Sequence, residues 1–134
     1  MPVKTCETIY VVDDDETYQF IVKRVIEETR LVNSIRVFSN GLEAIECIEN
    51  SISQPESLPE VILLDLWMPV MDGWEFLEKY LLLKPKVGKR IYIYIVSSSI
   101  NPIDVQRARN ITEVTDYVVK PITRDKLVSM LQSL

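Results

Sequence analysis

Residues 61–73 read VILLDLWMPVMDG, an apolar strand, a carboxylate, a short loop and the start of a helix. Four apolar residues typical of a buried strand end abruptly at Asp65, and Asp72-Gly73 opens the helix. A charge at the end of a buried strand must be paired, hydrated or bound to a metal. We therefore expect the groups that pair with Asp65 at the ends of the other strands.

The composition favours one compact α/β domain that spans residues 1–134, since 47% of the 134 residues are hydrophobic. A net charge of -5, with scattered basic residues, disfavours a nucleic-acid-binding surface. No apolar run approaches the ~20 residues that span a membrane, and Met1–Lys4 does not begin a signal peptide. We expect a cytoplasmic protein in which Cys6 and Cys47 are reduced thiols.

Histidine is absent from the sequence. Its absence excludes a Ser-His or Cys-His nucleophile, a histidine metal ligand and a phosphohistidine on this chain. The acidic residues must therefore perform whatever chemistry the protein has.

The hydrophobic pattern alternates between strands and helices five times. Strands are predicted over residues 9–12, 34–38, 61–64, 91–96 and 116–119, and helices from about Thr17 to Arg30, after Asn40, after Asp72, from Asn101-Pro102 and after Thr123. The predicted buried helix faces include Ile21, Leu42 and Leu81. Such alternation, with nearly continuous apolar strands, indicates a doubly wound parallel sheet covered by helices on both faces.

Chemically useful residues follow four of the five predicted strands: Asp13 and Asp14, then Asp65, Ser97 and Lys120. In such sheets the binding crevice lies at the carboxyl ends of the strands. Residues far apart in the sequence are therefore predicted to meet at one edge of the sheet.

Three carboxylates at one edge repel each other by about 3 kcal/mol per pair at ~5 Å, and Lys120 supplies a single positive charge. Mg²⁺ would supply the missing positive charge, because it favours carboxylates, water and a phosphate oxygen as ligands. This set suits phosphoryl transfer to a carboxylate. Asp65 would be the nucleophile, Lys120 and the metal would neutralise the phosphoryl oxygens, and Ser97 would donate a hydrogen bond to one of them.

Four motifs together resemble the receiver domain of two-component response regulators, of the kind found in chemotaxis regulators. They are Val11–Asp14, Leu64–Gly73, Val96–Ser98 and Tyr117–Pro121, and the resemblance covers essentially the whole chain. It implies a flavodoxin-like fold with five parallel strands in the order 2-1-3-4-5.

The resemblance also implies a role for each site residue. Asp65 would accept a phosphoryl group from the phosphohistidine of a sensor histidine kinase or histidine phosphotransfer protein. Asp14, Asp65 and the backbone carbonyl of Trp67 would bind Mg²⁺, and Asp13 would hold a metal-bound water. Lys120, whose peptide bond to the following proline is often cis in the family, would pair with the phosphoryl group.

Ser97 would be the switch hydroxyl and Tyr117 the switch aromatic of such a domain. Phosphorylation would draw Ser97 toward the new oxygens and let Tyr117 rotate, so that the face of the fourth helix, fifth strand and fifth helix changes for an unidentified downstream protein. Trp67 is bulkier than the residue that many receivers carry two positions after the acceptor, with Ser99 at the matching position after Ser97. We predict that Trp67 shields the phosphoryl group and slows autodephosphorylation.

Two other interpretations compete with this one. Residues 13–17 read DDDET and also fit the D-x-D-x-T signature of haloacid-dehalogenase-like phosphatases, with Asp13 as nucleophile, although only Asp125 remains after Lys120 to supply that family's later acidic pair. A receiver-like domain that acts as a constitutive interaction module is the other. The acidic run could also be simply a helix start favoured by the macrodipole, which is our expectation for Asp15.

Overall fold

The computed structural model describes residues 5–134 as an α/β sandwich; Met1–Lys4, where the sequence predicts no signal peptide, lie outside these residues. The strands are β1 (Cys6–Val12), β2 (Val32–Phe38), β3 (Val61–Leu64), β4 (Tyr92–Ser97) and β5 (Val114–Val119). The helices are α1 (Glu16–Thr29), α2 (Gly41–Asn50), α3 (Gly73–Leu83), α4 (Pro102–Arg109) and α5 (Arg124–Gln132), with short 3-10 turns at Pro55–Ser57 and Lys84–Lys86. Within residues 5–134, no helix is long and apolar enough to cross a membrane.

The five strands form one parallel sheet in the order β2-β1-β3-β4-β5, which confirms the predicted fold class and strand order. Val12 lies beside Leu64, and Leu64 beside Ile95, so β1, β3 and β4 end almost level with one another. The chain reverses direction across the sheet at β1 and β3, where doubly wound sheets form their binding crevice.

Successive strand residues pack on opposite faces of the sheet, and each face has its own core. One core joins residues such as Tyr10, Ile62 and Ile93 to α2 and α3. The other joins Val11 and Leu63, among others, to α1 and α5. The sheet is therefore covered on both sides, and its carboxyl edge is where polar groups from several strands emerge.

The predicted elements are all present, but several bounds and helix faces differ. β1, β2 and β5 begin earlier than predicted, because backbone pairing such as Cys6 with Val32 continues through partly polar residues. Three residues predicted to be buried have exposed side chains, namely Ile21, Leu42 and Leu81, whereas Trp74 of α3 is buried. A helix turns by about 100° per residue, so a small error in the inferred face reverses the exposure of a residue at its margin.

Candidate functional site

The carboxyl ends of β1, β3 and β5 bring Asp13, Asp65 and Lys120 into contact. The Lys120 Nζ lies 2.6 Å from Asp13 Oδ2 and 3.6 Å from Asp65 Oδ2. Asp13 and Asp65 are buried, and the Lys120 side chain is only 18% exposed. One lysine is therefore shared by two buried carboxylates that the sequence separates by 52 positions.

Asp14 completes an acidic cluster with Asp13 and Asp65. A carboxylate oxygen from each of the three lies within 4.8 Å of the others, and Asp14 is the exposed member. Pairs of charges at this spacing repel by about 3 kcal/mol at an effective dielectric constant of 20. The cluster has the geometry and the oxygen ligands of a site for a hard divalent cation.

Burial and the neighbouring charges of the cluster shift the pKa of Asp65. Burial and the charge of Asp13 raise it from 3.8 to about 6, against the opposing effect of Lys120. Burial acts to lower the pKa of Lys120, but its hydrogen bond to Asp13 and the charge of Asp65 outweigh this and raise it. Lys120 is thus firmly cationic, and Asp65 is a carboxylate whose charge is only partly compensated.

The loop after β3 is tightly packed against Asp65. The Gly73 N–H donates to the carbonyl of Leu66 at 2.8 Å, and a Cβ on Gly73 would lie 2.4 Å from the Asp65 carbonyl oxygen. Only glycine fits there. Asp72 then caps α3 through a capping box with Glu75, as its position predicts.

Two apolar side chains of this loop face solvent beside the site. Trp67, two residues after Asp65, has a side chain that is largely in solvent, with the residue 55% exposed. Val70 is exposed with φ at 68°, a left-handed conformation that costs a β-branched residue roughly 1–2 kcal/mol. The role predicted for the Trp67 backbone carbonyl stays a prediction.

The predicted switch residues lie together at the end of β4 and in β5. Ser97 is buried and its Oγ accepts a hydrogen bond from the Ser99 N–H at 3.1 Å. The hydroxyl of half-buried Tyr117 donates to the Ser99 carbonyl at 2.7 Å. The Lys120 N–H donates to the Ser97 carbonyl at 2.8 Å, which joins this group to the lysine. The peptide bond between Lys120 and Pro121 is cis.

Tyr18 of α1 is a site neighbour that sequence reasoning missed. The Lys120 Nζ lies 4.4 Å from the centre of its ring. No motif signals this contact, because it joins the first turn of α1 to the loop after β5. Asp15, in contrast, is the N-cap of α1, as expected, and accepts from the Tyr18 N–H.

Residues 9–132 match the model of the response regulator receiver domain family. The chain belongs to that family. The receiver domain assignment agrees with the strand order and with the acidic cluster at the carboxyl edge of the sheet. It confirms the resemblance from the motifs and does not favour the phosphatase interpretation.

Several characterised proteins and solved structures are similar to this receiver domain. The sensor histidine kinase CheAY of Helicobacter pylori is 26% identical over 92% of this chain, which spans 14% of CheAY. A two-component response regulator from Cytophaga hutchinsonii superposes with a TM-score of 0.86 at 26% identity, covering 96% of this chain and 95% of that one. A response regulator receiver protein from Dyadobacter fermentans gives a TM-score of 0.81 at 29% identity, covering 95% of this chain and 96% of that one.

Proposed function

We propose that this receiver domain signals through reversible phosphorylation of Asp65. The observation that supports this most is the placement of Asp65: a buried carboxylate with a raised pKa, beside one shared lysine and two further carboxylates. The donor would be the phosphohistidine of a sensor histidine kinase or a histidine phosphotransfer protein. The domain would itself promote this transfer and a slow hydrolysis afterwards, without acting on a separate substrate.

In the transfer step an Asp65 carboxylate oxygen attacks the phosphorus of the donor. The new O–P bond forms as the bond from phosphorus to the leaving group breaks, and the leaving group departs with the electron pair. For phosphohistidine that bond is P–N and the imidazole is released; for acetyl phosphate it is P–O and acetate leaves. Lys120, now 3.6 Å from Asp65, pairs with the transferred oxygens, and the Ser97 hydroxyl donates to one of them.

Asp13, Asp14 and Asp65 fit a magnesium ion, since they supply three carboxylates in a small space. The carbonyl of Trp67 would be a further ligand, with Asp13 acting through a water. Mg²⁺, when bound, neutralises charge on the acids and on the phosphoryl oxygens. With that charge neutralised, Asp13 and Asp14 would no longer raise the pKa of Asp65, and Asp65 would stay ionised and therefore nucleophilic.

The signal would pass from Asp65 to the surface through Ser97 and Tyr117. If Ser97 turns toward a phosphoryl oxygen, it gives up its hydrogen bond from Ser99, whose carbonyl holds the Tyr117 hydroxyl. The two changes are linked through one residue, so the orientation of Tyr117 and of α4 would follow the state of Asp65. An unidentified protein that binds α4, β5 and α5 would detect the change in the cytoplasm.

The phosphatase interpretation would make Asp13 the nucleophile. Asp13 is poorly suited to that role, because its Oδ1 accepts from the Asp15 N–H at 2.9 Å and its Oδ2 is held by Lys120. A constitutive interaction module would not require the acids, the hydroxyl and the lysine together.

The test is incubation with Mg²⁺ and acetyl phosphate, followed by intact-mass measurement. We expect a gain of one phosphoryl group that a chelator of divalent cations prevents and that disappears with time after the donor is removed. Wild-type protein that gains no mass over a range of donor concentrations would contradict the proposal and favour the interaction module.

A further inference from the structure

Lys120 and three neighbouring residues form a closed cycle of contacts. The Asp15 N–H donates to Asp13 Oδ1 at 2.9 Å, and Asp15 Oδ1 accepts from the Tyr18 N–H at 3.1 Å. The Tyr18 ring faces the Lys120 ammonium at 4.4 Å, and that ammonium returns to Asp13 Oδ2 at 2.6 Å. The helix cap, the acidic cluster and the lysine are thereby joined into one unit.

The Tyr18 side chain is half-buried. It packs against the core between the sheet, α1 and α5, and its buried hydroxyl lies beside the backbone of Ile122. Burial and the charge of Asp13 raise the pKa of Tyr18 to about 12, so the ring stays a neutral phenol. The neutral ring presents its negative face to the ammonium in a half-buried place, where cation–π attraction is stronger than at an exposed site.

The aromatic ring of Tyr18 provides a kind of attraction for the ammonium that the carboxylates cannot provide. Lys120 has a flexible four-carbon stem, and its ammonium lies 2.6 Å from Asp13 but 3.6 Å from Asp65. With only carboxylates around it, the ammonium would be drawn to Asp13 or into water. An aromatic face attracts a cation over a broad area, so the ammonium can shift toward new oxygens on Asp65 without losing that contact.

We propose that Tyr18 is a positioning residue for phosphorylation, whose ring holds the Lys120 ammonium between Asp13 and the phosphoryl group on Asp65. This inference rests on the proposed function, because it concerns the rate at which Asp65 is phosphorylated. The electron density of the ring, and not the hydroxyl, performs this role.

The test measures the rate constant of phosphorylation by acetyl phosphate with saturating Mg²⁺. Tyr18→Phe keeps the ring and should react within about twofold of wild type, whereas Tyr18→Leu should be slower by about tenfold. Phe20→Leu is the matched control. Phe20 lies on the same helix, is 64% exposed and stacks with Arg24 rather than Lys120, so its removal should leave the rate unchanged.

A series at constant side-chain size separates positioning from packing. Phenylalanines with successively more ring fluorines, incorporated at position 18, keep the shape of Tyr18→Phe but weaken the negative face. The rate constant should fall stepwise along the series, while cooperative urea denaturation shows that every variant stays folded. A flat series, or a Tyr18→Leu variant as fast as wild type, would overturn the inference alone; wild type that gains no phosphoryl group would overturn the proposed function with it.

Discussion

The carboxylates at the two edges of the sheet differ in how they are paired with lysines. At the amino edge, Glu60 before β3 pairs with Lys89, and Glu113 before β5 lies 2.7 Å from Lys84. Burial opposes ionisation of Glu60, yet its hydrogen bonds with Lys89 and the Thr8 N–H lower its pKa, and the hydrogen bond from Lys84 lowers that of Glu113. At the carboxyl edge, Asp13 and Asp65 share Lys120, Asp14 adds a third carboxylate to the cluster, and the pKa of Asp65 rises to about 6.

This difference distinguishes structural ion pairs from the proposed binding site. Glu60 and Glu113 each have their own lysine, so neither of these carboxylates requires a further cation. The carboxyl edge keeps a surplus of negative charge within a few ångströms, which a cation can neutralise. The following substitutions test whether that surplus has the consequences proposed here.

Loss of the lysine at each edge should have the largest effect and the clearest contrast. Lys120→Met leaves Asp13 and Asp65 buried without a counter-ion, and we expect a loss of about 3 kcal/mol in the free energy of unfolding at pH 7 without Mg²⁺. Lys84 is 52% exposed, and Lys84→Met should lose less than about 1 kcal/mol. Urea denaturation of both variants measures this, and equal losses would remove the proposed distinction.

The pH dependence of stability should show the strain on Asp65. Its pKa is raised in the folded state, so the folded protein binds this proton more tightly than the unfolded chain does. The stabilisation from the protonated Asp65 is therefore present below about pH 4 and is lost as the pH rises through about 6. Asp65→Asn, which resembles the protonated acid, should therefore be more stable than wild type at pH 7.5. Its free energy of unfolding, measured by urea denaturation, should be higher by roughly 2–3 kcal/mol. The two proteins should converge near pH 4. A constant difference across this range would show that the charge of Asp65 is not the cause.

Magnesium should stabilise the wild-type protein by mass action, by about 1 kcal/mol at tenfold excess over its dissociation constant. Asp14→Asn should remove most of this effect, because Asp14 belongs to the cluster. Asp15→Asn is a matched control on the next residue, since asparagine also caps helices well. Thermal melts with and without Mg²⁺ compare the three proteins, and an equal magnesium effect in all of them would argue against the cluster as the site.

Trp67 should produce the smallest change, in the lifetime of the phosphorylated form. Trp67→Asn should lose its phosphoryl group several-fold faster than wild type after the donor is removed, because the indole no longer shields it from water. Leu82→Asn, which replaces an exposed apolar residue of α3, should leave the lifetime unchanged. A lifetime in Trp67→Asn that is unchanged or longer would exclude shielding by the indole.

The sequence predicts the order of elements and the carboxyl edge well, because both follow from simple rules. Apolar runs mark β3 and β4, and a parallel sheet brings Asp65 and Lys120 to one edge wherever they lie in the chain. The motifs then give Asp65 and Lys120 their expected roles.

Features that depend on contacts between elements could not be predicted in this way. The ring of Tyr18 meets Lys120 only because α1 and the loop after β5 pack side by side. Trp74 is buried beneath Arg107, whose guanidinium lies 4.2 Å from the indole ring, although Trp74 is only two residues after the N-cap Asp72. Tyr18 lies four residues before the buried Val22, and Trp74 lies three before the buried Leu77. The helical period therefore favours an inward position for both, but it does not show which side chain of another element each one meets.

The most direct test of the central claim is to compare which carboxylate carries the phosphoryl group. Wild type, Asp65→Asn and Asp13→Asn are incubated with acetyl phosphate and Mg²⁺, and intact masses are followed by peptide mapping. We predict one phosphoryl group on Asp65 in wild type, none in Asp65→Asn, and a gain on Asp65, though slower, in Asp13→Asn. A gain that persists in Asp65→Asn and disappears in Asp13→Asn would contradict the account.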